Sequence, residues 1–493
     1  MSAALSIGAI VAVVVVTAII GIWGLRISRT TGDFFVASRT VRPVWNASAI
    51  SGEYLSAGTF LGLSGLVLLS GSDAFWFPIG YAAGYLLVLM LVAAPLRRSG
   101  AYTIPDFIHA RLDSLTARRL TSALVLIIGW LYIVPQLHGA SLALTVIADI
   151  PPWVGATTVA LVVGGSVAAG GMRSITFVQA FLFWLKLAAL AVPAIFFTIT
   201  LRGSEPEIDP ALVFPQDLGP AGLDTYATTS LLIALLMGTA GLPHVLVRFY
   251  TSPTGGSARW TTVGVIVLIS AFYIASSTIG LIARIAAPDL AAPGVADTVA
   301  LQLPSRLIPG PPGDLLTALV VAGALAAFLG TSSGLVVSLS SAVSQDLFHG
   351  TVTSFRWAAV FCTLVPLVVA LATAPQGLVA SVGTVFVFAA SALSPVILLG
   401  IWWRRLTARG AIAGMIVGAG LCTAALIGSA ALGPGTGPLP TLLAQPGLWT
   451  ISFATLTSVI VSLVDRRTPV SADRILSRLH SPERSRGELT TGG

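Results

Sequence analysis

Ala49-Ile50-Ser51-Gly52-Glu53-Tyr54-Leu55-Ser56-Ala57-Gly58-Thr59-Phe60-Leu61-Gly62 sets one carboxylate among three glycines inside an otherwise apolar run. A plain hydrophobic anchor has no use for Glu53, because an ionised carboxylate in hydrocarbon is costly and faces a cavity or a partner. The glycines loosen the helix around it. In lipid, opened backbone is tolerated only where it lines a cavity or is covered by protein. The stretch therefore predicts a discontinuous membrane helix with Glu53 at its break.

The flanking chain fits a membrane protein. Of its 493 residues 55% are hydrophobic and 9% charged, against roughly 25% charged in soluble domains, so there is too little charge to coat a water-exposed surface. About 13 apolar spans follow, since a helix needs roughly 20 apolar residues to cross a bilayer. They fall near 3–25, 44–70, 74–96, 121–148, 153–171, 175–200, 228–250, 262–284, 314–346, 355–373, 377–403, 410–432 and 445–464, and are numbered here in that order. The first run lacks a basic leader and is too long for a signal-peptide core, so it reads as a retained helix. Cys362 and Cys422 lie inside spans and give no disulfide framework or metal motif.

The net charge of +7 reports topology. Arginines such as Arg97, Arg98, Arg111, Arg118, Arg248 and Arg404 crowd the loops at one face, while the other has only Arg202, Arg284 and Arg306. The positive-inside rule makes the rich face cytoplasmic, with the N-terminus outside, the C-terminus inside, and the protein multi-pass in the cell inner membrane. Nucleic acid is excluded as a partner. The outside loops are 202–227, acidic through Glu205, Glu207, Asp209, Asp217 and Asp224, and 285–313. The polar, Arg-rich tail 466–493 is expected to be disordered. No cofactor is expected.

An ATP motor is excluded, because a Walker A loop needs Gly-Lys-Ser/Thr and the sole lysine, Lys186, follows Phe183-Trp184-Leu185. A membrane enzyme needs clustered Asp, Glu or His at one face, whereas Asp106, His109 and Asp346 are scattered along the sequence. Two more spans carry break signals. Span 7 reads Gly238-Thr-Ala-Gly-Leu-Pro-His-Val-Leu-Val-Arg248, in which Pro243 lacks an amide hydrogen. Span 9 carries Gly330-Thr-Ser-Ser-Gly334. Small residues alone serve close helix packing. Grouped with a carboxylate or with three hydroxyls, they point to the midplane site of a secondary transporter, where freed carbonyls hold a cation.

Four stretches together resemble the sodium:solute symporter family, most closely its acetate permease and monocarboxylate transporter branch. They are Gly32-Asp-Phe-Phe-Val-Ala-Ser-Arg39 with 49–62; Arg97-Arg-Ser-Gly-Ala-Tyr-Thr-Ile-Pro-Asp-Phe107; 238–249; and Ser341-Ala-Val-Ser-Gln-Asp-Leu-Phe348. The resemblance runs from about residue 26 to about 465. It implies an all-α LeuT-type fold built from two inverted five-helix repeats, 44–201 (spans 2–6) and 228–403 (spans 7–11). Residues 1–26 and 410–465 would be peripheral. It also implies a cation site at the carbonyls of Gly52 and Leu55 with Ala327, Gly330 and Thr331 on span 9, sodium being the only metal. Many relatives have serine at the position of Gly330, which here supplies no hydroxyl, so both Na+ and H+ stand as coupling ions. Thr176 occupies a position that is acidic in some relatives, and a second sodium site is not expected.

Glu53 is read as a coupling or gating carboxylate. Lys186, at mid-membrane depth in span 6, is expected to pair with Glu53 or to stand near the cation site; the alternative is a lysine snorkelling to an interface. The substrate pocket is expected between spans 2, 4, 7 and 11, using Thr59, Tyr132, Gln136 and Thr239. His138 and His244 are expected to make structural hydrogen bonds. The function implied is symport of a short-chain monocarboxylate (acetate, propionate or pyruvate), with a single copy as the functional unit. Transport of another solute of the family, such as proline or a sugar, and a membrane-embedded enzyme are the alternatives.

Overall fold

The computed structural model describes residues 3–27, 35–203, 221–292, 294–348, 350–374, 377–433, 435, 437–465 and 472–481. Gly32–Phe34 of the first motif, Arg29, the acidic residues 205, 207, 209 and 217, and Arg466, Arg467, Arg484 and Arg486 lie outside the described residues. Every regular element among the described residues is helical.

Ten continuous helical stretches are long and apolar enough to cross a membrane, and one further pair, Thr225–Gly241 with Pro243–Thr251, is bent by 43°. Two of the ten are too long for one pass. Pro152–Gly203 has 52 residues, roughly 78 Å at 1.5 Å per residue, against about 30 Å of hydrocarbon. It is interrupted at Gly171, where φ is 59° and ψ −160°, a conformation open to glycine. The stretch Gly58–Ser99 is interrupted at Gly71, with φ 58° and ψ −134°. Divided at these glycines, the stretches account for the expected spans.

Span 2 is broken where expected. The helix Pro43–Tyr54 ends at Leu55, whose φ of −76° and ψ of 97° are extended. The chain then resumes with one wide π turn over Gly58–Gly62. Span 7 breaks at Leu242 in the same way, with φ −76° and ψ 114°, and Pro243 starts the next short helix. Span 9 departs from expectation. Pro311–Leu347 is one uninterrupted helix through Gly330 and Gly334, so those glycines have another purpose. Spans 9 and 11 are central, with 89% and 83% of their apolar windows buried, whereas spans 1, 12 and 13 bury 22%, 39% and 33% and line the outside.

The tail also departs from expectation. Within 466–493, Ala472–His480 is a helix. Its apolar residues Ala472, Ile475, Leu476 and Leu479 fall at the 3.6-residue repeat of an amphipathic face, and Leu479 is fully buried. Arg98 donates from Nη1 to the Leu479 carbonyl at 3.3 Å, and the His480 ring sits 2.9 Å from the Ile401 carbonyl. Composition averaged over the tail hid this periodicity.

Candidate functional site

The break in span 2 leaves backbone groups to be satisfied, and two neighbouring spans do it. On the far side, the Ala57 amide donates to Oε1 of Gln136 at 2.8 Å, while Nε2 of Gln136 donates to the Tyr132 carbonyl at 3.2 Å. Gln136, expected to touch substrate, is thus engaged at both ends as a cap. On the near side, Lys186 Nζ donates to the carbonyls of Gly52 and, at 2.8 Å, Leu55. Thr331 Oγ1 reaches the same Leu55 carbonyl at 3.3 Å. Gly52, Leu55 and Thr331, three of the expected cation-site residues, therefore converge, with the lysine amine among them. Ala327 is buried one turn before Gly330 and Thr331 on span 9.

Glu53 pairs with Arg248 and makes no ion pair with Lys186. Arg248 Nε donates to Oε2 of Glu53 at 2.7 Å, and both side chains are 1% exposed. Arg248 Nη1 donates to Thr176 Oγ1 at 2.8 Å and Nη2 to Oε1 of Gln179. One guanidinium thus ties spans 2, 6 and 7 together. The positive-inside count had placed Arg248 in a loop; its position directly after the Gly-Leu-Pro-His break was the signal for a different role. Arg111 is buried too, donating to the carbonyls of Gly400, Trp403 and Arg404 at the end of span 11.

The two glycines of span 9 make room for these charges. A β-carbon at position 334 would overlap Cδ and Oε1 of Glu53, and one at 330 would lie 2.9 Å from Lys186 Nζ and 2.7 Å from the Gly52 carbonyl oxygen. Of the serines between them, Ser333 donates back to the Gly330 carbonyl at 3.0 Å.

Beyond the break lies a contiguous aromatic cluster. Tyr54 packs edge-on against Tyr85 at 4.7 Å, Tyr81 against Phe386 at 4.9 Å, and Tyr132 against His244 at 5.2 Å; Tyr81 stacks on Tyr273 at 5.9 Å. Thr239 Oγ1 shares a hydrogen bond with Tyr54 Oη at 3.0 Å and bonds the Leu235 carbonyl. Thr59 Oγ1 donates to the Ser56 carbonyl in the break, three residues back. Buried polar atoms with no protein partner gather in this region: Tyr85 Oη, Tyr273 Oη, Ser56 Oγ and both ring nitrogens of His244. The cluster draws on spans 3 and 8 as well as the expected 2, 4, 7 and 11. His138 makes its structural hydrogen bond, to the Ala370 carbonyl at 3.0 Å; His244 makes none.

At the arginine-rich end, Asp106 and Asp346, distant in sequence, meet on one residue. Arg118 donates to Asp346 at 2.6 Å and to Asp106 at 2.8 Å, and Ser122 donates to Asp346. Among the described residues no group of three or more His, Cys, Asp or Glu is placed to hold a metal ion.

The chain is similar to known transporters in sequence and in fold. The chain is 31% identical to the "Monocarboxylic acid transporter" of Corynebacterium glutamicum, over 90% of this chain and 88% of that protein. It is 32% identical to the "Uncharacterized symporter YwcA" of Bacillus subtilis, over 83% of each. Its fold is similar to that of a Na+-coupled sialic acid symporter, with a TM-score of 0.72 at 16% identity, covering 92% of this chain and 98% of that one. It is also similar to Mhp1, a nucleobase-cation-symport-1 family transporter, with a TM-score of 0.56 at 13% identity and the same coverage. These are LeuT-type transporters. A family model for the sodium:solute symporter family matches residues 34–418, and the chain belongs to that family, as a multi-pass, cation-coupled membrane transporter and not an enzyme.

Proposed function

We propose that the protein takes up a short-chain monocarboxylate such as acetate, propionate or pyruvate by cation-coupled symport and alternating access. The coupling ion is Na+ or H+, with Glu53 and Lys186 as coupling residues, and a single copy is the functional unit. The observation that carries the symport reading is the convergence of the Gly52 and Leu55 carbonyls with Thr331 at the break in span 2. Freed carbonyls facing a second helix are how such folds hold a cation. The carboxylate reading is supported by the likeness to the C. glutamicum protein. It also fits a closed aromatic centre whose free groups are hydroxyls and an imidazole, enough for the two or three hydrogen bonds a small carboxylate needs. In this reading spans 2–6 and 7–11 are the two inverted repeats, the N-terminus is outside and the arginine-rich end is cytoplasmic.

The test is uptake of labelled pyruvate and acetate into proteoliposomes under an imposed Na+ or pH gradient, the other ion being balanced. Protein-free vesicles correct for leakage of the acids through lipid. Gradient-stimulated uptake of either acid supports the reading; no stimulation of either acid by either gradient overturns it.

A further inference from the structure

We propose that the ε-ammonium of Lys186 is the built-in occupant of the cation site between spans 2 and 9, so that the chain binds no sodium there. This deepens the symport reading above and rests on it. The amine is fully buried, which rules out a snorkelling side chain whose charge reaches water. Two of its three N–H donors go to the Gly52 and Leu55 carbonyls, the two oxygens that the break in span 2 releases toward span 9. A metal ion at the same point would have to share both with a cation already seated on them.

The partner position fits the amine and not a fuller metal shell. Position 330 has no side chain, and a β-carbon there would crowd both Nζ, at 2.9 Å, and the Gly52 oxygen, at 2.7 Å. The glycine thus makes room for both: the Gly52 carbonyl and the amine together take the space a hydroxyl-bearing side chain would need. The Gly330 carbonyl is also engaged, accepting from Gln179 Nε2 at 3.2 Å and from Ser333. The carboxylate whose charge acts on the amine, Glu53 on span 2, makes its own ion pair with Arg248 on span 7. The hydrogen bonds of Lys186 go to backbone carbonyls, as the ligands of a bound alkali ion would. A buried charge with no partner would be strongly unfavourable, and the carbonyls supply the compensation.

The experiment is sodium binding to the full chain in lipid nanodiscs, read with radioactive sodium and as sodium-specific thermal stabilisation against choline. The unmodified chain is expected to show neither; saturable sodium binding to it overturns the proposal. The variant carrying both Lys186→Ala and Gly330→Ser removes the amine and supplies a hydroxyl, and is expected to gain saturable sodium binding. A folded double variant that binds no sodium also counts against the proposal. Should the double variant not fold, the unmodified chain still decides. Gly330→Ser alone, with the lysine present, is expected to lower uptake by about ten-fold or more; unchanged uptake would overturn the reading that position 330 must stay clear. Carboxylate uptake is measured alongside. Its failure under every gradient sinks the monocarboxylate reading, while the sodium-binding result judges the amine separately.

Discussion

Arg248 and Glu53 form an ion pair of 2.7 Å in which each side chain is 1% exposed, and which joins the two broken spans of the protein. Two such charges are stable in the interior only together. Glu53→Gln or Arg248→Met alone is expected to cost about 3–5 kcal/mol, and replacing both by apolar residues of similar volume much less than the sum. Thermal unfolding of the three variants in detergent measures this. Additive losses would show that the pair is not a unit.

Gly334 is the bed of the Glu53 carboxylate, since a β-carbon there would overlap its Cδ and Oε1. Gly334→Ala is expected to lower stability by about 1–3 kcal/mol, the usual size of an overpacking penalty. Shortening the acid with Glu53→Asp in the same chain should recover part of that loss. Equal melting temperatures for Gly334→Ala with and without Glu53→Asp would contradict the fit.

Arg118 holds Asp106 and Asp346 across the arginine-rich end. Arg118 and Asp106 are partly solvated, with side-chain exposures of 22% and 19%, while Asp346 is buried at 5%; with the arginine in reach of water the tie is worth about 1 kcal/mol. That is enough to move a two-state equilibrium by roughly five-fold. Arg118→Ala is expected to open this end more often. With Ser338→Cys, at a buried serine in a crevice with Thr103, Pro243 and Ala342 too tight for water, the thiol should then react several-fold faster with a water-soluble reagent. Cys362 and Cys422 are buried and give a low background. An unchanged labelling rate would show that this tie does not hold that end shut.

Gln136 and Tyr85 should fail differently. Gln136→Ala orphans the Ala57 amide and is expected to cost about 1–3 kcal/mol of stability. Tyr85 carries a buried hydroxyl with no protein partner. Tyr85→Phe is expected to leave stability nearly unchanged and to raise the transport KM by roughly two- to ten-fold, the value of one hydrogen bond. A normal KM in Tyr85→Phe would take that hydroxyl out of the substrate site.

Much of this was legible in the sequence, because hydrophobic length and helix breakers act locally. The spans followed from runs of apolar residues, and the breaks at Leu55 and Leu242 from glycine and proline beside polar groups. Lys186 stood out as the sole lysine, in mid-span. Arg248 did not stand out, because a charge count by loop treats a buried arginine and a surface one alike; only the fold shows Glu53 opposite it. The glycines at 330 and 334 were read as a break because a missing side chain looks the same whether it frees backbone or clears space for another residue. Gln136 was read as a substrate contact because nothing local reveals that the Ala57 amide, 79 residues away, needs an acceptor.

The space at position 330 ties the residue there to two neighbours at once, the Lys186 amine and the Gly52 carbonyl. While the lysine is present, any side chain at 330 meets its amine and the Gly52 oxygen. Shortening the lysine clears only one of these contacts; the Gly52 carbonyl, at 2.7 Å, must shift as well before position 330 accepts a side chain. Lineages carrying a lysine at 186 are therefore expected to carry glycine at 330, never serine.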